Sequence, residues 1–130
     1  MKAGTQFSVM LQNKPGELAK LCRKLARAKV NIAAISVAET TEQGIVRLVV
    51  EGVSAARKVL KKAKVGFVTS RVLLVDLENE PGALADAAGA LADKKVNVQF
   101  VYGTTGPRKG DVATVVIGVD EVEKAKKVLA

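Results

Sequence analysis

The chain contains the same four-residue turn twice, once near its start and once past its midpoint. The turn Asn13-Lys14-Pro15-Gly16 recurs 66 residues later as Asn79-Glu80-Pro81-Gly82. The same spacing relates Val30-Asn31-Ile32 to Val96-Asn97-Val98, so the repeat extends well beyond the turn. Self-similarity at one fixed spacing indicates two copies of one structural unit.

Each copy begins with a strand pattern that leads into a helix pattern. In the first copy Phe7, Val9 and Leu11 alternate with more polar neighbours, which is typical of a strand with one buried face. Leu21 and Leu25 then recur at helical spacing. The first copy predicts strands at residues 5–12, 31–38, 44–51 and 65–68, and helices at residues 15–28 and 53–63.

The second copy predicts the same order of elements with one strand fewer. Its expected strands are residues 71–78, 96–102 and 111–119, and its expected helices are residues 81–94 and 120–129. In both copies a polar connection, at residues 39–43 and 103–110, joins two strands as a hairpin.

These patterns predict an α+β fold of two ferredoxin-like βαββαβ units, each an antiparallel sheet with its helices on one face. The second unit lacks its final strand, so we expect another element to cover the exposed sheet edge. The expected domains are residues 1–69 and residues 70–130.

Composition limits the chemistry that the chain can perform. The sequence has no histidine, and its one cysteine, Cys22, falls on the apolar face of the first helix. Because histidine is the commonest general base and metal ligand, we expect no catalytic site, metal site or cofactor. A lone cysteine fits a reducing compartment, and no apolar stretch is long enough to cross a membrane. We therefore expect a cytoplasmic protein.

Positive charge is concentrated in the first copy. Residues 1–66 carry a net charge of +9, whereas residues 67–130 carry −1. A basic half can attract nucleic acid through helix residues such as Lys20, Arg23, Lys24 and Arg27. The alternative, which we favour, is a solvated lysine-rich surface, so we do not expect a nucleic-acid partner on this pattern.

The repeated turn is the strongest candidate for a binding element. Pro15 and Pro81 suit the first helical position, where the missing N–H costs nothing. Gly16 and Gly82 lack a Cβ, so another group can approach the backbone closely. Open N–H groups at a helix start attract a carboxylate or a phosphate. The alternative is an ordinary Pro-Gly helix start whose donors are met by Asn13 and water.

Charge distinguishes the two turns. Lys14 places positive charge beside the first turn, whereas Glu78 and Glu80 place negative charge beside the second. A bound carboxylate should therefore prefer the first turn.

A strand followed by Asn-x-Pro-Gly and a helix, and then by Val-Asn-Ile or Val-Asn-Val, resembles the ACT domain. Both copies show this combination, and together they cover nearly the whole chain. The resemblance implies a regulatory module that binds a small effector, often an amino acid, at the interface between two ACT units.

The resemblance also implies which residues contact the effector. At the first site Asn13, Pro15, Gly16, Glu17 and Leu18 would face Asn97 and Gln99 of the neighbouring unit. At the second site Asn79, Gly82, Ala83 and Leu84 would face Asn31 and Ala33.

The sequence thus predicts a tandem ACT protein that binds a small molecule, most simply an amino acid, and transmits its occupancy through inter-repeat contacts or through the contacts of a homodimer. One alternative is an accessory regulatory subunit of an amino-acid biosynthetic enzyme such as acetolactate synthase, which would require an enzyme partner. A third hypothesis is a nucleic-acid binder that uses the basic first copy.

Overall fold

A computed structural model describes residues 1–39, 43–103 and 111–130 of the chain. The predicted hairpin connections at 39–43 and 103–110 therefore lie largely outside the described residues. The strands are β1 (Lys2–Gln12), β2 (Asn31–Glu39), β3 (Gln43–Glu51), β4 (Phe67–Glu78), β5 (Val98–Gly103) and β6 (Val112–Val119). The helices are α1 (Glu17–Arg27), α2 (Val53–Ala63), α3 (Ala83–Asp93) and α4 (Val122–Leu129).

These elements form two compact units. The first unit is Thr5–Ser70, and the second combines Met1–Gly4 with Arg71–Ala130. The domain boundaries at 1–69 and 70–130 remain a prediction. The double ferredoxin-like α+β fold predicted from the repeat is confirmed by these elements and their antiparallel pairing.

In the first unit, β3 pairs antiparallel with both β1 and β2. The register sets Phe7 opposite Leu48 and Val9 opposite Val46, so the alternating apolar residues share one sheet face. Helices α1 and α2 cover that face with Leu21, Leu25, Ala56 and Leu60. Burial of these side chains supplies the main stabilising free energy of the unit.

In the second unit, β6 pairs antiparallel with β4 and β5. The register sets Leu73 opposite Ile117, and both residues are buried against Leu91 of α3 and Ala125 of α4. The second copy thus builds its core from the same face of the same elements as the first.

The sheet edge that the sequence leaves open in the second unit is occupied by the start of the chain. Residues 2–4 of β1 belong to the second unit, where β1 is the neighbour of β4. Ala3 packs against the core of that unit, and Gly4 lies close to Leu74. The covering element that we expected at this edge is therefore a segment of the same chain.

One prediction about the strands is wrong. The sequence predicts separate strands at 65–68 and 71–78, but the structure has a single strand, Phe67–Glu78. The physical reason is that Thr69, Ser70 and Arg71 contain no glycine or proline that would interrupt an extended backbone. Before β4 begins, Gly66 already accepts a hydrogen bond from the N–H of Met10 at 2.9 Å.

Candidate functional site

The first turn connects β1 to α1 by a short path of backbone hydrogen bonds. The N–H of Lys14 donates to the carbonyl of Gln12 at 3.0 Å, and the N–H of Glu17 donates to the carbonyl of Lys14 at 3.4 Å. Gly16 is the N-cap residue, so Pro15 does not take the first helical position that we predicted. The first helical residue is Glu17, because the left-handed conformation of Gly16 delays the start of the helix.

Glycine at position 16 is required by the backbone conformation. Its φ is 88° and its ψ is −13°, in the left-handed region that disfavours residues with a Cβ. No described heavy atom lies within 4 Å of the point where a Cβ would stand. The conformation, and not crowding by another group, therefore explains the glycine.

The helix start presents open backbone donors. Gly16 makes no side-chain cap hydrogen bond, and the carbonyl of Gly16 accepts from Lys20 at 3.0 Å. Within residues 1–39, 43–103 and 111–130, neither the N–H of Leu18 nor that of Ala19 donates to a backbone carbonyl. Such donors, together with the helix dipole, favour an anionic group.

A cavity of about 290 Å³ opens beside this turn. Three of the predicted site residues, Asn13, Glu17 and Leu18, line it together. Sequence reasoning did not place Val37 there. The register of β2 on β3 brings Val37 opposite Val46, another lining residue. The complete lining is Leu11, Gln12, Asn13, Lys14, Glu17, Leu18, Val37, Gly44 and Val46.

Two charged side chains, Lys14 and Glu17, line this cavity, and Lys20 pairs with Glu17 from outside the lining. The carboxylate Oε1 of Glu17 lies 3.7 Å from Nζ of Lys14 and 3.5 Å from Nζ of Lys20. Glu17 is the most sheltered of the three, with a side chain that is 20% exposed. The cavity therefore presents both signs of charge beside an apolar wall formed by Leu18, Val37 and Val46.

The second turn has the same backbone as the first. Gly82 is the N-cap residue with φ 90° and ψ −14°, and the N–H of Ala83 donates to the carbonyl of Glu80 at 3.4 Å. Pro81, like Pro15, precedes the N-cap and is not the first helical residue. The N–H of Asn79 donates to the carbonyl of Asp111 at 2.6 Å, which anchors the turn to the start of β6.

The surroundings of the second turn differ from those of the first. The cavity found beside α3 has a volume of about 120 Å³ and an entirely apolar lining. Of the residues predicted for the second site, Leu84 lines it, whereas Asn79, Gly82 and Ala83 do not. Where the first turn has Lys14 and Lys20, the second has acidic residues at the equivalent positions, Glu80 and Asp86.

The predicted contact residues from the strands lie at the far end of their own units. Asn31 is opposite Glu51, whereas the first turn follows Gln12, which is opposite Gln43. Asn31 and Ala33 therefore do not reach the turn of their own unit, and their pairing with the second turn remains a prediction.

In the second unit, Asn97 is fixed by two hydrogen bonds to Asp120. Its N–H donates to Oδ1 of Asp120 at 3.0 Å, and its carbonyl accepts from the N–H of Asp120 at 3.2 Å. The pairing register shifts between Val98 and Phe100, so Gln99 lies at the irregularity and is exposed. The same shift occurs at Ala33, between Ile32 and Ala34, so the two strands begin alike.

The described residues limit the other kinds of site. They contain no helix with the length and apolar character that a membrane span requires. Within the same residues, no three His, Cys, Asp or Glu side chains come together in a group suited to a metal ion.

Comparison with solved structures places these features in a known fold. Protein BT0572 from Bacteroides thetaiotaomicron is 31% identical, with a TM-score of 0.90 over 98% of this chain and 86% of that chain. The ligand-free regulatory subunit of aspartate kinase from Thermus thermophilus is 16% identical, with a TM-score of 0.72 over 99% of this chain and 93% of its own. The corresponding Thermus flavus subunit is 17% identical, with a TM-score of 0.67 over 99% of this chain and 89% of its own. The two Thermus likenesses concern the fold alone.

No curated protein matches the chain. The family described as the ACT domain pair matches residues 3–130, which include both turns and all ten secondary-structure elements except the first residue of β1. The chain therefore belongs to the ACT domain pair family.

Proposed function

We propose that the protein is a regulatory module that binds a small α-amino acid at the first turn. The observation that carries the proposal is the cavity of about 290 Å³, where Lys14, Glu17 and the start of α1 meet an apolar wall. That volume is close to the lower end of the roughly 300–1,000 Å³ of small-molecule sites.

The arrangement matches the chemistry of a zwitterion. The carboxylate of the ligand would accept hydrogen bonds from the open N–H groups of Leu18 and Ala19, with Lys14 adding positive charge. The ammonium would bind the Glu17 carboxylate. An aliphatic side chain would pack on Leu18 and Val37.

The remaining predicted residues would complete the sites. Asn97 and Gln99 of a neighbouring unit would close the first site, as the resemblance to ACT domains implies. At the second turn, Asn79, Gly82, Ala83 and Leu84 would face Asn31 and Ala33. We expect that site to bind an amino acid more weakly, because Glu80 and Asp86 repel its carboxylate.

The role proposed here is regulatory and not catalytic. Occupancy would be transmitted to a homodimer partner or to an enzyme. The exposed apolar side chains Leu18, Ile35 and Val37, at the rim of the first cavity and on edge strand β2, are suited to such a contact. An accessory regulatory subunit of an amino-acid biosynthetic enzyme is the second candidate, and the basic surface described below favours it.

A thermal-shift screen over the twenty amino acids tests the proposal. A ligand at 100 times its Kd should stabilise the protein by about 2.7 kcal/mol. Substitution Lys14→Glu should reduce the shift, whereas Lys58→Glu, which makes the same charge change on α2 outside this cavity, should leave it unchanged. The absence of any shift with all twenty compounds would overturn the amino-acid assignment.

A further inference from the structure

We infer that the α1–α2 face of the first unit docks an acidic amphipathic helix of a protein partner. This face, which we call the basic face, consists of the outward residues of 20–28, which cover most of α1 and its C-cap, and of 53–63 in α2. The inference concerns a surface outside the effector cavity and does not depend on the proposed ligand.

The charge of the basic face is one-sided. Each of its two helices carries four Lys or Arg residues, and Glu17 is the one acidic residue in either helix. The equivalent helix of the second unit, α3, carries Asp86 and Asp93 and no basic residue. Because the same fold forms with acidic residues at these positions, the basic charge is not a requirement of the fold.

Little within the described residues neutralises this charge. Glu17 binds Lys14 and Lys20, at the beginning of α1. Farther along, no carboxylate of the described residues forms an ion pair with Lys24, Arg27 or Lys62. Like charges held close together raise the electrostatic free energy of the unbound protein, and an anionic partner relieves it.

The basic face also contains a cleft of about 470 Å³ between its helices. Lys24, Arg27 and Lys62 supply its charged lining. Its apolar lining is Ala28, Val59 and Ala63. Val59 also packs against the core of the unit. A binding surface with a basic rim and an apolar floor complements a helix that is acidic on one side and apolar on the other.

The apolar floor favours a protein partner over a nucleic acid. Surfaces that bind single-stranded nucleic acid combine cations with aromatic side chains on which bases stack. All four aromatic residues of the chain are accounted for elsewhere: Phe7 and Phe67 belong to the first core, and Phe100 and Tyr102 belong to β5 of the second unit. A phosphate backbone would therefore find only positive charge on the basic face. An acidic amphipathic helix would find both positive charge and apolar contact there.

The test measures binding of a synthetic amphipathic peptide of leucine and glutamate to the full chain by fluorescence anisotropy. A scrambled peptide of the same composition and a single-stranded oligonucleotide serve as comparison probes. We expect the amphipathic peptide to bind at least about tenfold more tightly than the scrambled one, because only it presents a continuous apolar stripe. Equal binding of the two peptides, or tighter binding of the oligonucleotide, would overturn the inference.

Variants locate the binding surface. The triple substitution Lys24→Ala, Arg27→Asp and Lys62→Ala should weaken peptide binding by about tenfold or more. Its first two changes introduce the residues found at equivalent positions of α3, Ala90 and Asp93, so the helix should still form. The matched control Lys94→Asp, Lys126→Ala and Lys127→Ala makes the same net charge change in the second unit. If the control variant weakens peptide binding equally, the net charge of the chain explains the loss, and the assignment to the basic face is overturned.

Discussion

Nζ of Lys14 lies 3.7 Å from Oε1 of Glu17, across the turn that starts α1. The equivalent pair in the second unit is Glu80 and Ala83, where no ion pair is possible. The two turns share a backbone conformation, so their difference in binding should follow from these side chains.

Exchange of the charges between the two turns should exchange their affinities. Lys14→Glu should weaken amino-acid binding at the first turn by about tenfold, equivalent to about 1.4 kcal/mol, because a carboxylate then faces a carboxylate. The reciprocal change Glu80→Lys should strengthen binding at the second turn. Isothermal titration calorimetry of both variants checks this, and unchanged affinity in Lys14→Glu would argue against the first turn as the carboxylate site.

Glu17 should matter for the other end of the ligand. Glu17→Gln keeps the shape of the side chain but removes its negative charge, so affinity for an amino acid should fall more than affinity for the corresponding carboxylic acid without an amino group. Calorimetry with both compounds makes the comparison. An equal loss for the two would indicate that Glu17 positions Lys14 and Lys20 and does not bind the ammonium.

Glycine substitutions should change stability with opposite signs. Gly16 has φ 88°, so Gly16→Ala should cost about 1–2 kcal/mol of the free energy of unfolding. Gly89 lies inside α3 with open space around an added Cβ, so Gly89→Ala should stabilise by about 0.5–1 kcal/mol. Urea unfolding measures both. A neutral Gly16→Ala would mean that the turn adopts another conformation at little cost.

Local periodicity was enough to predict much of the fold. The alternation of Phe7, Val9 and Leu11 predicted the buried face of β1, and the predicted bounds of α2 agree with the structure. The repeated Asn-x-Pro-Gly turn pointed to Asn13, Glu17 and Leu18, which do lie together at one cavity. These features depend on residues close in sequence.

Two of the features that sequence reasoning missed, the start of β1 and the position of Val37, depend on residues distant in sequence. Lys2-Ala3-Gly4 has no alternating apolar pattern, and it is extended because β4 lies beside it. Val37 reaches the first cavity because of the register of β2 on β3, which local patterns do not specify. The left-handed conformation of Gly16 was compatible with the sequence, but Pro15 also suited a helix start, and the choice between them required the backbone dihedral angles.

Gly118 should be intolerant of any side chain. A Cβ at this position would collide with the ring of Phe100 on the adjacent strand β5. Gly118→Ala should therefore destabilise by about 1–3 kcal/mol, and Phe100→Leu should relieve part of that cost. A double-mutant cycle measures the coupling, with Gly66→Ala as the control because open space surrounds Gly66. Strictly additive effects would show that the ring moves aside freely.

The start of β1 should stabilise the second unit although it precedes the first along the chain. Ala3 is partly buried against the second core, so Ala3→Asp removes part of the hydration of a charge there and should cost about 1–3 kcal/mol. Lys2→Asp, at an exposed position, should change stability by less than about 0.5 kcal/mol. Hydrogen exchange should accelerate at Leu73 and Ile117 in the Ala3 variant, and unchanged exchange there would contradict the placement of residues 2–4.

The carboxyl group of Glu123 should titrate at a lower pH than an unperturbed glutamate. Nη1 of Arg71 donates a hydrogen bond to Oε1 of Glu123 at 2.7 Å, and this bond lowers the pKa of Glu123, with the charges of Arg71, Lys126 and Lys127 acting in the same direction. Because the folded-state pKa is depressed, the stabilisation is present above the unfolded pKa and is lost as the pH falls through the folded pKa. An NMR titration should show the depressed pKa in the wild type and a rise in Arg71→Ala, whereas Lys2→Ala should change nothing. A Glu123 pKa that does not respond to loss of Arg71 would show that this exposed pair does not persist in solution.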